Sequence, residues 1–303
     1  ITDPVLNLRI FGIMQHTEEA TDNILSRLNI EGLNEMQVAY AAATQTHQNI
    51  MLLADTGTGK TLAFLLPLVQ LMDPLKRKTQ SLIIVPSREL AIQIENVFKS
   101  MGTKLKVTCC YGGHKREIEE NNLTQAPALL IGTPGRLADH IRRGSISTET
   151  IESLILDEFD KSLEMGFSEE MSFIIGSLKN LKRRTLTSAT DTIEIPGFVG
   201  VENLLKLDFL SDKNAETNKL AIKLLKSDGK DKLETLFRLI CFLGNRSTIV
   251  FCNHRESVER TSTLLKEKDI VNVFYHGAME QQERDAALCK FRNGTSNVLV
   301  TTD

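Results

Sequence analysis

Residues 50–66 read Ile50-Met51-Leu52-Leu53-Ala54-Asp55-Thr56-Gly57-Thr58-Gly59-Lys60-Thr61-Leu62-Ala63-Phe64-Leu65-Leu66. The opening four residues form an apolar run short enough for a buried strand, and the last five continue as the first turns of a helix. Between them, Gly57 and Gly59 permit backbone angles that a side chain would forbid, so successive N–H groups can point inward at phosphate oxygens. Lys60 brings a positive charge to the β- and γ-phosphates, and the Thr61 hydroxyl is placed to hold Mg²⁺. The new helix aims its positive end at the same point. An ordinary Gly-rich turn would explain the glycines but not a Gly-Lys-Thr at the helix start. The loop from Ala54 to Thr61, with Thr56 and Thr58 beside its glycines, therefore predicts binding of a nucleotide and its Mg²⁺.

Working outward, apolar strands are expected at 81–85, 105–111, 128–132, 151–156, 184–188 and 204–209, with helices at 18–28, 88–101, 136–142 and 169–178. Continuous apolar strands separated by helices imply an α/β fold with a parallel sheet covered on both faces. Such sheets bind ligands at the carboxyl ends of their strands. The strand at 151–156 ends in Asp157-Glu158-Phe159-Asp160. In enzymes with a phosphate loop, an acid here completes the Mg²⁺ shell and a neighbouring carboxylate orients or deprotonates the attacking water, roles that suit Asp157 and Glu158. A helix cap would account for one such acid, but these acids leave a buried strand in the sheet that carries the phosphate loop. Pro86-Ser87-Arg88-Glu89, Tyr111-Gly112-Gly113 and Thr133-Pro134-Gly135-Arg136 end three other strands with N–H groups, hydroxyls and arginines suited to phosphates along an extended strand. Ser188-Ala189-Thr190 adds hydroxyls that could bond back to Asp157 or Asp160.

The alternation lapses into a polar stretch near 210 and then resumes, with strands at 247–252, 271–275 and 297–301 and helices at 256–267 and 281–291. The expected organisation is a nucleotide-binding domain at 1–209, a linker at 210–219 and a second, similar domain at 220–303 that lacks a Gly-Lys-Thr. Apolar and charged fractions of 41% and 25% are those of a globular protein, and no apolar run approaches the ~20 residues that span a bilayer. A cytoplasmic protein that does not enter membranes is expected. The five cysteines and six histidines form no metal-ligand spacing, so no structural zinc is expected. A net charge of −3 excludes a broad basic surface, and the short basic clusters at 76–78, 142–143 and 182–184 read as solvated loop faces. Any nucleic-acid contact must be local.

The phosphate loop, PSREL, GG, TPGR, DEFD and SAT, in this order and followed by the second unit, closely resemble a DEAD-box RNA helicase of superfamily two over nearly all of the chain. The resemblance implies two RecA-like domains and an enzyme that uses ATP and Mg²⁺ to separate short RNA duplexes. An upstream aromatic of that family stacks on adenine and a glutamine reads its edge; Phe11 and Gln37 lie at the matching positions. Lys60, Thr61, Asp157 and Glu158 keep the roles given above, and Ser188 and Thr190 would couple hydrolysis to strand separation. RNA, single-stranded or a short duplex, would be held by sugars and phosphates through Pro86, Ser87, Arg88, Gly112, Gly113, Thr133, Pro134, Gly135 and Arg136. Segments 250–253, 276–277, 281–284 and 301–303 look like the family's later motifs, implying RNA contacts from Asn253, His276, Gly277, Arg284 and Thr301 and a ribose contact from Asp303. No protein partner is indicated.

The chain also departs from that pattern. Phe159 stands where a small alanine is usual, Ser87 replaces a threonine, and Leu33-Asn34 replaces a Pro-Thr pair ahead of Gln37. The family continues past Asp303 into an arginine-rich motif whose fingers are worth about 10³ to 10⁵ in rate in related systems. A truncated chain with an incomplete second domain, which binds ATP but hydrolyses it poorly, is therefore expected. The alternative is an ATP-gated RNA clamp or assembly scaffold with little hydrolysis.

Overall fold

A computed structural model describes residues 21–113, 116–191, 194–210, 221–227 and 232–302. The chain divides into two compact units, 1–216 and 217–303. The first unit runs through helical residues 21–27 (α1), α2 (Glu35–Thr46), β1 (Asn49–Ala54), α3 (Lys60–Leu71), β2 (Ser81–Ile84) and α4 (Arg88–Ser100). It continues with β3 (Val107–Cys110), α5 (Arg116–Leu123), β4 (Leu129–Gly132), α6 (Pro134–Arg142), β5 (Ser153–Leu156), α7 (Phe159–Glu164), α8 (Ser168–Ser177), β6 (Arg183–Ser188) and β7 (Leu205–Phe209). Its seven strands form one sheet in the order β3-β4-β2-β5-β6-β1-β7, every pair parallel.

The period-2 alternation of a strand sends successive side chains to opposite faces, and here both faces are packed. In β1, Ile50, Leu52 and Ala54 join one core while Met51 and Leu53 join the other. Ile83 and Ile155 repeat the first assignment; Leu82, Ile84, Leu154 and Leu156 repeat the second. Burial on both sides is why these strands read as unbroken apolar runs. The shared direction brings the ends of β1, β2, β3, β4, β5 and β6 to one edge, where the motifs lie.

The second unit holds α9 (Leu233–Leu243), β8 (Thr248–Phe251), α10 (Arg255–Glu267), β9 (Asn272–Tyr275), α11 (Gln281–Arg292) and β10 (Val298–Thr301). Its strands pair in parallel in the order β8-β10-β9, over a core of Ile240, Val258, Leu265, Val298 and Val300. The α/β organisation with two parallel sheets is as expected. Four helices absent from the sequence reading are α2, α5, α7 and α9. The sequence of α5, Arg-Glu-Ile-Glu-Glu-Asn-Asn-Leu, buries only Glu119 and Leu123, so it offers no apolar stripe to detect.

Burial also sets thiol reactivity. Desolvation raises the pKa of both Cys109 and Cys110 well above the ordinary value, so neither is a thiolate at neutral pH, whereas Cys241 and Cys289 are exposed. Alkylation followed by peptide mapping should label Cys241 and Cys289 first, and Cys109 and Cys110 only as the first unit unfolds. Early labelling of Cys109 or Cys110 in the folded protein would contradict this packing.

Candidate active site

The phosphate loop leaves the buried end of β1 and enters α3 through Gly59, which is left-handed at φ 93°. A side chain there would meet more than backbone strain, because a Cβ would lie 2.6 Å from Gln37 Nε2. Lys60 is buried, and its ammonium donates to the carbonyls of Ala54 and, at 3.3 Å, Asp55. Thr58 closes the turn by donating its hydroxyl to the Asp55 carbonyl at 2.8 Å. Thr56 and Gly57 are exposed at the tip, and Thr61 is half-buried on the first turn of α3.

The loop is braced from α2. Asn34 Oδ1 accepts the Gln37 N–H and Gln37 Oε1 accepts the Asn34 N–H, both at 2.9 Å, a reciprocal capping box. The same two side chains reach across to the loop, Asn34 Nδ2 donating to the Thr58 carbonyl at 2.9 Å and Gln37 Nε2 to the Gly59 carbonyl at 3.2 Å. Asparagine thus caps α2 and, through its amide N–H, also holds the phosphate loop. The amide of Gln37 is engaged by the loop itself. Helix α2 is anchored in turn by a 2.6 Å hydrogen bond between the Tyr40 and Thr185 hydroxyls, beneath the sheet. Phe11, expected against adenine, lies outside the described residues.

At the end of β5, Asp157 is 3% exposed. Burial raises its carboxyl to about 6, opposed by a hydrogen bond from the Thr187 hydroxyl and by the nearby Lys60 ammonium, while Glu158 pushes it further up. Thr187 also accepts the Glu158 N–H at 3.1 Å, so one hydroxyl fixes two successive acidic residues. Glu158 itself is left-handed at φ 48°, a costly conformation for a residue with a Cβ. At this turn Asp157 is buried and Glu158 half-buried. Asp160, fully buried, accepts the Ala189 N–H and the Thr190 hydroxyl at 3.4 Å each. Ser188 bonds instead to Thr190, donating to its carbonyl at 2.7 Å and accepting its N–H at 3.0 Å. Of the hydroxyls expected to reach the acids, Thr190 does so, and the partner of Asp157 is Thr187, which sequence reasoning missed. Its one signal is a polar residue late in an otherwise buried strand. Phe159 turns into the core beside Leu156 and Met171, worth about 1.5–3 kcal/mol of burial, so the bulky replacement occupies the interior.

The other strand ends assemble nearby. Ser87 caps α4, accepting the Leu90 N–H at 3.2 Å, Pro86 is buried, and the Arg88 guanidinium lies 5.0 Å from the Tyr111 ring centroid. Gly112, Gly113 and Gly135 are exposed. Thr133 and Pro134 start α6, brought close to β3 by Gly132, where a Cβ would meet the Cys110 carbonyl at 2.4 Å. Arg136 turns inward to Glu119 and the Tyr111 carbonyl, at 3.2 and 3.3 Å. Glu119 and its partner His140 carry no motif and were not anticipated.

In the second unit, Asn253 and Gly277 share an open cavity of about 500 Å³ with Thr302 and His254. His276 is a buried support, 3.1 Å from Glu259 and stacked on Phe274. Arg284 donates to the carbonyls of Gly277 and, at 3.2 Å, Met279, so it stiffens the turn that carries Gly277. Thr301 is buried, its hydroxyl donating to the Thr302 carbonyl at 2.8 Å. Asp303 lies outside the described residues.

The donor set at the first site suits a phosphate chain and Mg²⁺. The loop offers an ammonium and a helix N-terminus, and the oxygens of Thr61 and Asp157 are the hard ligands that Mg²⁺ takes. Burial gives the Asp157 carboxylate a reason to accept a cation.

The family model for DEAD/DEAH box helicases matches residues 34–195, and that for the helicase conserved C-terminal domain matches 231–303. The chain is 31% identical over 300 residues to the ATP-dependent RNA helicase DbpA of Escherichia coli, covering 95% of this chain and 65% of that protein. It is 36% identical over 264 residues to the ATP-dependent RNA helicase FAL1 of Mycosarcoma maydis, covering 84% and 66%. The chain therefore spans slightly less than two thirds of the length of these curated relatives. Among solved structures, S. cerevisiae Dbp5 bound to RNA and ADP BeF3 matches with a TM-score of 0.74 at 26% identity, over 92% of this chain and 72% of that one. A DEAD box protein from Methanococcus jannaschii matches with a TM-score of 0.55 at 27% identity, over 93% and 77%.

Two substitutions test this geometry. Asn34→Ala removes the cap and should cost about 1 kcal/mol, read by denaturant unfolding; an unchanged midpoint would mean the capping box is not formed. Thr187→Val keeps the shape but removes the hydroxyl from Asp157 and Glu158, and should cost about 1–3 kcal/mol while pushing the Asp157 carboxyl higher. Equal stability in the two proteins would contradict the arrangement at the acidic turn.

Proposed function

The chain belongs to the DEAD/DEAH box helicase family, and on that premise we propose that it is an ATP-dependent RNA-remodelling enzyme that binds single-stranded RNA and separates short duplexes. The observation that carries the reading is a buried ammonium, Lys60, after β1 facing a buried carboxylate, Asp157, after β5, on either side of β6 and behind a glycine loop. Buried charges are expensive unless opposed, and a phosphate chain with its metal supplies the counterpart to both. The relatives named as ATP-dependent RNA helicases and the Dbp5 complex with RNA and ADP BeF3 support the same assignment.

Lys60 holds the β- and γ-phosphates in exchange for the loop carbonyls it now contacts, and the N–H groups of 57–61 surround them. Thr61 and Asp157 would hold Mg²⁺, which when bound neutralises charge on the phosphates. Glu158, half-buried on a left-handed backbone, orients the attacking water. Asp160, bonded to Ala189 and Thr190, links the acidic turn to the segment that follows β6. In the first unit, backbone groups at 86–88, 112–113 and 133–136 take the RNA sugar-phosphate chain, a recognition that needs local contacts and tolerates a net charge of −3. In the second unit, Asn253 and Gly277 are the exposed candidates for RNA, while His276 and Arg284 shape their turn.

ATP turnover measured with RNA, with DNA and with neither tests the proposal. Whatever its absolute rate, turnover should rise with RNA, and Glu158→Gln should lower it by about 10²-fold or more while nucleotide binding persists. Equal stimulation by DNA would remove the RNA assignment. ATP-dependent RNA retention without turnover in the wild-type chain would make it a clamp and not an enzyme.

A further inference from the structure

Glu119 is 1% exposed and His140 fully buried, 2.6 Å apart, in the part of the first unit that underlies two of the segments assigned to RNA. Each oxygen of the carboxylate is used. Oε1 accepts the Tyr111 N–H at 2.8 Å. Oε2 faces His140 Nε2 at 2.6 Å and Arg136 Nε at 3.2 Å. Arg136 Nε also donates to the Tyr111 carbonyl at 3.3 Å, so the two sides of Tyr111 are held by an ion pair. Arg136 and His140 are four residues apart on α6 and therefore present to Glu119 from one face of that helix. Helix α5, otherwise polar, is attached through this carboxylate and Leu123.

Cys110 Sγ lies within 4.8 Å of the Glu119 and His140 ligand atoms, which raises the question of a metal. The 2.6 Å Glu119–His140 separation is a hydrogen-bond distance, shorter than two ligands on one ion allow, and the Arg136 guanidinium already places a positive charge on the same oxygen. The cluster is a hydrogen-bonded junction.

We infer that Glu119, with Arg136 and His140, ties the Tyr111-Gly112-Gly113 turn to the start of α6, so that the Arg136 side chain is a brace for the RNA-facing backbone and not itself a phosphate ligand. The inference rests on the RNA reading above for its function, but the brace exists independently of it. Arg136 and Glu119 are positioning residues. The backbone N–H groups of Gly112, Gly113 and the first turn of α6 make the contacts, held at a fixed separation by a charge pair in a low-dielectric interior. The Arg88 guanidinium over the Tyr111 ring extends the same junction to the segment after β2.

The alternatives predict opposite signs. Glu119→Gln keeps the shape and the Tyr111 acceptor but removes the ion pair. If Arg136 is a brace, single-stranded RNA affinity measured with an ATP analogue and Mg²⁺ should fall by roughly tenfold, and Glu119→Gln with Arg136→Gln should be little worse than either alone. Arg136→Lys should lose nearly as much, since an ammonium at the end of a flexible stem keeps the charge but lacks the planar Nε–H that lies 3.2 Å from Glu119 and 3.3 Å from the Tyr111 carbonyl. Nucleotide affinity should not change. If Glu119→Gln leaves RNA binding unchanged or tighter while Arg136→Gln weakens it, or if Arg136→Lys retains binding, Arg136 is the phosphate ligand and the inference is overturned. Hydrogen exchange provides a readout without RNA: in Glu119→Gln, protection at 111–113 and at 135–137 should drop together. If that coupled drop occurs in a protein whose wild type retains no RNA, the RNA reading fails and the brace stands; if wild type retains RNA and exchange is unaltered, the brace fails alone.

Discussion

The ammonium of Lys60 sits at the buried end of β1, opposite a carboxylate buried at the end of β5, with β6 between those strands in the sheet. Neither charge is stable in the interior alone, and the surrounding structure answers both. Loop carbonyls of Ala54 and Asp55 take the ammonium, Thr187 takes the carboxylate, and each charge lowers the cost of the other. The left-handed Gly59 and the left-handed Glu158 are the backbone's part in this arrangement. One turns the chain tightly enough to bring Lys60 back to the Ala54 and Asp55 carbonyls, and the other leaves Glu158 half-buried next to the buried Asp157. A parallel sheet is the scaffold that allows it, because only there do β1, β5 and β6 deliver their ends to the same edge.

Around that pair the site is supported in depth. The capping box of α2 supports the phosphate loop through the Thr58 and Gly59 carbonyls, and α2 is itself fixed to β6 through Tyr40 and Thr185. Thr190 ties the segment after β6 to Asp160. A change at the phosphates thus has a hydrogen-bonded route to β6 and to α2. The Glu119 junction holds a further set of strand ends by the same means, a buried charge satisfied from several elements.

The sequence made β1, β2, β4 and β5 legible because each is buried on both faces, and it made Lys60, Asp157 and Glu158 legible because a glycine loop and an acidic turn have few other uses. Strand order was not legible: β4 inserts between β3 and β2, and nothing in the run of residues along the chain marks that crossover. Supporting residues were less legible still. Thr187 is an unremarked threonine one position before the motif residue Ser188, and Glu119 and His140 meet across 21 positions of chain from helices with no apolar signature that would pair them. Asn34 reads as a departure in sequence and proves to be a working cap. Phe159, a departure beside two carboxylates in sequence, is a core residue in space.

The central claim is that the Lys60–Asp157 pair is a site for MgATP. Calorimetric titration of ATP, with Mg²⁺ and with a chelator, into the wild type, Lys60→Ala and Asp157→Asn tests it most directly. The account predicts that Lys60→Ala weakens binding by about 10- to 100-fold, the worth of a hydrogen bond to a charged group, and that Asp157→Asn abolishes most of the Mg²⁺ dependence. Wild-type affinity in both variants, with the Mg²⁺ dependence retained, would contradict it.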